Sequence, residues 1–138
     1  MKKFFVFVIS VFLFSSFAIA SEILDLVNAE RVSKGLAVVT EKAELNCAAL
    51  KHATDIGTRK TCSRVGQDGS NVTKRVQACG WANPVFLGEI VGCSKKNAKT
   101  AFREWLKVPS HYAYIVLEDM KFLGSAEKDG YYDLILSL

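Results

Sequence analysis

The sequence predicts an α+β fold. Apolar residues at three- and four-residue steps run through the first half of the chain, and extended apolar runs split by an Asp-Gly turn close it. Helices come first and strands last. At 138 residues the chain has the length of one domain.

The first twenty residues read as an address. Lys2 and Lys3 precede an apolar block from Phe4 to Phe14, followed by Ser15-Ser16-Phe17 and Ala18-Ile19-Ala20. A charged start, an apolar stretch and an A-x-A site describe a secretory signal peptide cut after Ala20. The block is shorter than the ~20 residues of a membrane span, so no transmembrane segment is expected after cleavage. Residues 21–138 then form a single domain. The leader holds two of the 18 basic residues and none of the 14 acidic ones, which leaves the mature chain at +2. So mild a charge speaks against nucleic acid.

Ser21 is placed to cap a first helix, SEILDLVNAERVSKG. Ile23, Leu24, Val27 and Arg31 recur along it and Gly35 stops it. After the short link Leu36–Val39, Thr40 is placed to cap a second helix running to about Thr58. Its expected buried stripe is Leu45, Ala48, Ala49, His52, Ala53 and Ile56. His52 reads as a core-edge histidine satisfied by a carbonyl or a carboxylate. Arg59 to Ser70 is polar and turn-like, with Gln67-Asp68-Gly69 as a turn signal and Ser70 as cap of a short third helix to Cys79. Asn71-Val72-Thr73 has the form of a glycosylation sequon but sits at a helix start, and reads as a cap.

Val85 to Gly92 is an apolar strand that holds Glu89. A fourth helix follows to Leu106, with Ala98, Ala101, Phe102 and Trp105 on its core side. Lys95, Lys96, Lys99, Arg103 and Lys107 form its solvated face. Met120 to Ala126 and Tyr131 to Leu136 are two strands joined at Lys128-Asp129-Gly130, a hairpin signal.

Two groups are out of place in this pattern. Glu89 lies among Val85, Phe86, Leu87, Ile90 and Val91, where a carboxylate must be paired or protonated. His111 lies in PSHYAYIVL, where a ring without partners is costly. Glu89 and His111 are therefore expected to face each other across a cleft. The four cysteines, Cys47, Cys62, Cys79 and Cys93, are even in number in an exported chain and lack a C-x-x-C pair, which favours two disulfides over a metal. Of the three connectivities, Cys47–Cys62 with Cys79–Cys93 is preferred, because it staples neighbouring segments.

These residues resemble those of a known family. Asn28-x-x-Arg31-x-x-x-Gly35-Leu36, Ala48-Ala49-x-x-His52-Ala53-x-Asp55, Gly66-Gln67-Asp68-Gly69-Ser70 with Arg75-Val76, Gly88-Glu89-Ile90, and Trp105-Leu106-x-x-Pro109-Ser110-His111 occur in order. Together they are similar to motifs of the CAP or SCP-like domain (cysteine-rich secretory proteins, antigen 5, pathogenesis-related class 1) in its short bacterial form. The resemblance covers nearly all of the mature chain. It implies an α-β-α sandwich, helices around a small antiparallel sheet, with a cleft of histidines and glutamates that in some members binds a divalent metal.

This chain departs from the pattern inside that cleft. Arg64 stands at a family histidine, Ile90 at an asparagine, Ser110 at a glycine, and Tyr112 and Tyr114 at an arginine and an asparagine. Val108 stands where eukaryotic members carry a second glutamate. Glu89, His111, Arg64 and Tyr112 are the expected cleft residues, with neither metal nor cofactor. Arg64 is expected to clamp Glu89 through two parallel hydrogen bonds.

Three classes of function stay open. One is a secreted binding module, periplasmic or extracellular, for a small apolar or glycan-like ligand or a protein partner. The second is a structural or interaction protein with a vestigial cleft. The third is a weak hydrolase using Glu89 and His111, although no G-x-S-x-G or comparable nucleophile signature is present. A monomer is expected.

Overall fold

The computed structural model describes residues 14–138, with side chains from Glu22 onward. Residues 1–13 of the expected leader lie outside the described residues. The elements in chain order are helix α1 (Phe14–Ser33), strand β1 (Thr40–Glu41), α2 (Ala43–Arg59), α3 (Val72–Ala78), β2 (Leu87–Gly92), α4 (Ala98–Trp105), α5 (Pro109–Ile115), β3 (Phe122–Lys128) and β4 (Tyr131–Ser137). Among the described residues, no helix is long and apolar enough to cross a membrane.

The strands form one sheet in the order β1-β3-β4-β2. β1 runs parallel to β3, and the other pairs are antiparallel. β4 lies between two neighbours, and all seven of its residues are buried. Successive side chains of a strand point to opposite faces, so β4 supplies both cores. Leu134 and Leu136 pack with Ile90 of β2 against Ile23 and Val27 of α1, Phe102 and Trp105 of α4, and Ile115 of α5. Ile135 packs on the other face with Ala126 of β3 against Leu45, Ala48, Ala49 and Ala53 of α2 and Val76 of α3. The result is an α-β-α sandwich. Close packing on the second face depends on Gly124, because a Cβ there would run into the α2 backbone at Leu45 and Asn46. The hairpin turns at Asp129 (φ 52°) and Gly130 (φ 81°), two positive φ values in succession as a type I′ turn requires.

Three local expectations change, and one further helix is added. Ser21 lies inside α1 and does not cap it, since no proline or glycine between Phe14 and Ser21 stops the helix. Thr40 belongs to β1, where its N–H donates to the Lys121 carbonyl at 3.0 Å, and α2 begins three residues later. Asn71, not Ser70, caps α3, by accepting from the Lys74 N–H at 2.9 Å. Pro109 opens α5 at its first turn, where a missing N–H costs no helical bond.

The cysteines form two disulfides, Cys47–Cys79 and Cys62–Cys93, in place of the nearest-neighbour pairing. Packing of α3 on α2 brings Cys79, at the end of α3, to Cys47 in the first turns of α2. The segment after α2 then turns back, so that Cys62 meets Cys93 just beyond β2.

Arg31 explains the N-x-x-R opening. Its side chain is fully buried and donates to five carbonyls: Ala37 (2.8 Å), Ile115 (2.9 Å), Leu117 (2.8 Å), Glu118 (3.3 Å) and Met120 (3.4 Å). The cation thereby satisfies the orphan carbonyls at the C-terminal end of α5 and ties that end to α1. One turn earlier, Asn28 exchanges two hydrogen bonds with the backbone of Val39, at 3.0 and 2.8 Å.

Candidate functional site

Between α2 and α3 the chain runs from Lys60 to Asn71 without regular structure, and side chains of both helices hold it. His52 Nε2 donates to the Ser63 carbonyl at 2.8 Å, as a core-edge histidine should. Burial, with Arg75 nearby, lowers the His52 pKa and keeps the ring neutral. Asp55 takes two hydrogen bonds from Arg59, at 2.7 and 2.8 Å, and one from the Gln67 N–H at 3.0 Å. The Arg59 contact, chiefly, holds the Asp55 carboxyl below the usual carboxylate range. The His52-x-x-Asp55 spacing thus works as a pair of loop anchors one turn apart.

The third anchor is Arg75. Its guanidinium donates to the carbonyls of Ser70 (2.8 Å) and Arg64 (3.2 Å) and forms a buried ion pair with Glu89. The partner of the strand carboxylate is therefore Arg75 and not Arg64, and the expected Arg64 clamp is corrected. The reason is register: one turn into α3, Arg75 faces β2, whereas Arg64 lies out on the loop.

Glu89 has a second ionisable neighbour, one that sequence reasoning missed. In the β2–β4 register Glu89 is opposite Ile135 and Val91 is opposite Asp133. Glu89 and Asp133 are then diagonal neighbours on one face. Asp133 is fully buried, and its carboxyl pKa is raised well above the usual range by burial first and by Glu89 second. Both Asp133 oxygens are buried without a hydrogen-bond partner, so burying a second charge beside Glu89 has nothing to offset it and the protonated form is favoured. The available signal was a charged residue amid Tyr131-Tyr132-Asp133-Leu134-Ile135, the same anomaly that drew attention to Glu89.

His111 lies in the first turns of α5, on the opposite layer from α2 and α3, and it contacts Arg64. Arg64 Nη2 is 3.4 Å from His111 Nε2. A guanidinium can only donate, so Nε2 accepts and the proton sits on Nδ1. Burial and then Arg64 lower the His111 pKa. Tyr112, one residue on, turns toward α1, where its hydroxyl donates to Glu30 at 3.4 Å. Tyr114 lies over Gly88, with a Cβ at Gly88 only 3.0 Å from its ring, and stacks edge-on against Phe86.

The four expected cleft residues therefore divide. Arg64 and His111 meet at the surface, Glu89 is sealed behind Arg75, and Tyr112 belongs to the α1–α5 contact. Such a donor set does not fit the divalent cation that the resemblance implies for some members. A cation would have to displace one guanidinium from the carboxylate and another from the imidazole, against two fixed positive charges. Among the described residues, no three His, Cys, Asp or Glu side chains converge on one point.

Comparison with known proteins agrees with the fold. An extracellular SCP-domain protein from Bacillus anthracis str. Ames superposes with a TM-score of 0.83 at 19% identity, over 88% of this chain and 41% of the other. A cysteine-rich secretory protein from Staphylococcus aureus gives 0.73 at 14%, over 91% and 40%. The chain thus spans about two-fifths of those two proteins. An outer surface protein from Borrelia burgdorferi gives 0.71 at 17%, over 84% of this chain and 87% of the other. A comparison with curated protein sequences finds no match. Residues 24–133, from α1 to the middle of β4, match CAP, the cysteine-rich secretory protein family, and the chain belongs to it.

Proposed function

We propose that the chain is exported and acts as a non-enzymatic binding module, with the Arg64–His111 edge of the sandwich as its contact surface. One observation carries this reading: guanidinium groups occupy both groups that chemistry would need, Arg75 on Glu89 and Arg64 on His111. A general base needs an open lone pair within reach of the substrate proton. Glu89 is only 6% exposed and already ion-paired, and the accepting nitrogen of His111 faces a cation. What the edge offers to solvent is the exposed Arg64 with Val65 beside it, 55% exposed. That surface suits a small apolar or glycan-like ligand or a protein partner. Export is supported by the A-x-A leader, by two disulfides, which persist in oxidising compartments, and by structural neighbours that include an extracellular protein and an outer surface protein.

The purified protein is tested against panels of ester, amide and glycoside substrates beside Glu89→Gln and His111→Ala. No turnover above the level of the variants is expected. Hydrolysis by the native chain that falls at least a hundredfold in both variants would make it an enzyme. N-terminal sequencing of exported protein should begin at Ser21.

A further inference from the structure

The outer face of α4 carries charge in an arrangement that works against the helix itself. Between Lys95 and Lys107 the chain holds five cations, Lys95, Lys96, Lys99, Arg103 and Lys107, and one acid, Glu104. Glu104 is paired with Lys95. The other four cations are exposed, and among the described residues none of them forms an ion pair. Lys99, Arg103 and Lys107 follow one another at four-residue steps, which sets like charges side by side. Lys96 and Lys99 flank the Asn97 cap, at the positive end of the helix dipole, and the first turn has no acid to offset them. Both arrangements weaken the helix. A face that is merely solvated interleaves acids with bases and so avoids that cost.

The same stretch gathers more than the whole net charge of the mature chain. Residues 95–107 carry +4, from five cations and one acid, against +2 for the mature chain, so its remaining residues carry −2. The molecule is polarised, and a negatively charged partner is drawn to α4 rather than to the surface at large.

The shape of this face favours a flat partner. Ala98, Ala101, Phe102 and Trp105 turn the other side of α4 into the core, so the cations stand on its convex outside. From Lys99 to Lys107 the row runs about 12 Å at the helical rise, and a charged plane can meet it along its full length. Val108 follows directly, apolar and 39% exposed, at the end of the row where a bilayer interface can take it.

We infer that α4 is a docking face for an anionic phospholipid bilayer, with Lys96, Lys99, Arg103 and Lys107 over the headgroup phosphates and Val108 at the interface. The inference goes beyond the binding role proposed above, because Arg64 and His111 take no part in it.

The test uses the protein without residues 1–20, whose apolar block would itself enter a bilayer; the described core begins at Ile23 and is kept whole. Co-sedimentation in about 0.1 M salt compares vesicles of phosphatidylglycerol and phosphatidylcholine in equal parts with vesicles of phosphatidylcholine alone. Binding to the anionic vesicles should be at least tenfold tighter, and it should be lost in about 1 M salt, where screening is strong. A cation near such a surface contributes roughly fivefold in affinity, so Lys99→Gln with Arg103→Gln should weaken binding about twenty-fivefold. The same change should leave Tm equal or higher, since it removes like-charge neighbours. Lys51→Gln with Lys74→Gln takes equal charge from exposed positions on the α2–α3 layer and should alter binding by less than about threefold. Soluble polyphosphate at equal phosphate concentration should bind at least tenfold more weakly than the anionic vesicles. No preference for anionic vesicles, equal losses in the two double variants, or equally tight binding of polyphosphate would overturn the assignment.

Discussion

Replacing Arg75 by Met is the sharpest test of how the centre of this fold is held. The ion pair it forms with Glu89 is almost dry, with the two side chains 6% and 5% exposed. Removing one member of such a pair leaves the other charge buried, which typically costs about 3–5 kcal/mol. The neighbourhood gives no relief, because Asp133 beside Glu89 already has a carboxyl that resists ionisation. Loss of the donors to the Ser70 and Arg64 carbonyls adds to the penalty, though both lie near the surface and water can replace them in part. A total of about 4 kcal/mol is expected, or a fall of roughly 12–20 °C in Tm for a domain of this size. Urea denaturation followed by circular dichroism, with Arg75→Met, Glu89→Gln and the double variant compared, measures it. The double variant should recover at least half of the loss. A loss below about 1 kcal/mol, or a double variant as unstable as the sum of the singles, would refute the idea that Arg75 neutralises a buried acid.

Other outcomes follow from the same packing. Asp133 has a folded-state pKa above its unfolded value, so the folded chain binds the extra proton and stability is lost as pH rises from about 4 through the raised value. Asp133→Asn should therefore be close to neutral at pH 4 and increasingly stabilising toward pH 8, as read from urea midpoints. Arg64→Ala should leave Tm within about 2 °C, in the range of ordinary surface changes, while raising the His111 pKa in an NMR titration, because the cation that depresses it is gone. Arg31→Met strands carbonyls at the end of α5 and in the following loop, and a loss of about 3 kcal/mol in urea denaturation is expected. Peptide mapping without reduction should find Cys47 linked to Cys79 and Cys62 to Cys93. Each loop, closed over a separation of 32 or 31 residues, contributes roughly 3–4 kcal/mol in the chain-entropy model, so reduction of both should lower Tm by roughly 20 °C or more.

The local layer of this fold was legible because local signals were strong. The stripe from Leu45 to Ile56, the Asp129-Gly130 turn and the Trp105 helix each announce themselves by period or turn chemistry, and the structure keeps them. Glu89 was legible as a buried acid because it interrupts an apolar strand. Its partner was not, because α3 is seven residues long and carries too little periodicity to show which side Arg75 takes. Arg64 and Arg75, eleven residues apart, were equally able to reach it, and only the packing of α3 against β2 decides. The disulfides failed for the same reason. Short loops favour nearest neighbours when nothing else is known, whereas the α2–α3 contact, a tertiary fact, brings Cys47 to Cys79. Two parts of the expected cleft separated because neighbours on a helix face different ways. Tyr112 follows His111 directly and is turned about a quarter of a circle from it, which carries it to Glu30.

The order of the bridges along the chain has a consequence for resistance to proteolysis. Cys47, Cys62, Cys79 and Cys93 pair first with third and second with fourth, so the two covalent rings overlap between Cys62 and Cys79. A protease that cuts between Cys47 and Cys62 leaves the pieces joined by Cys47–Cys79, and one that cuts between Cys79 and Cys93 leaves them joined by Cys62–Cys93. A cut in the exposed turn around Gly69 leaves both bridges holding. Nearest-neighbour pairing would let that same nick split the molecule in two. The interleaved pattern therefore turns the longest irregular stretch among the described residues into a segment that can be clipped once without release of either half.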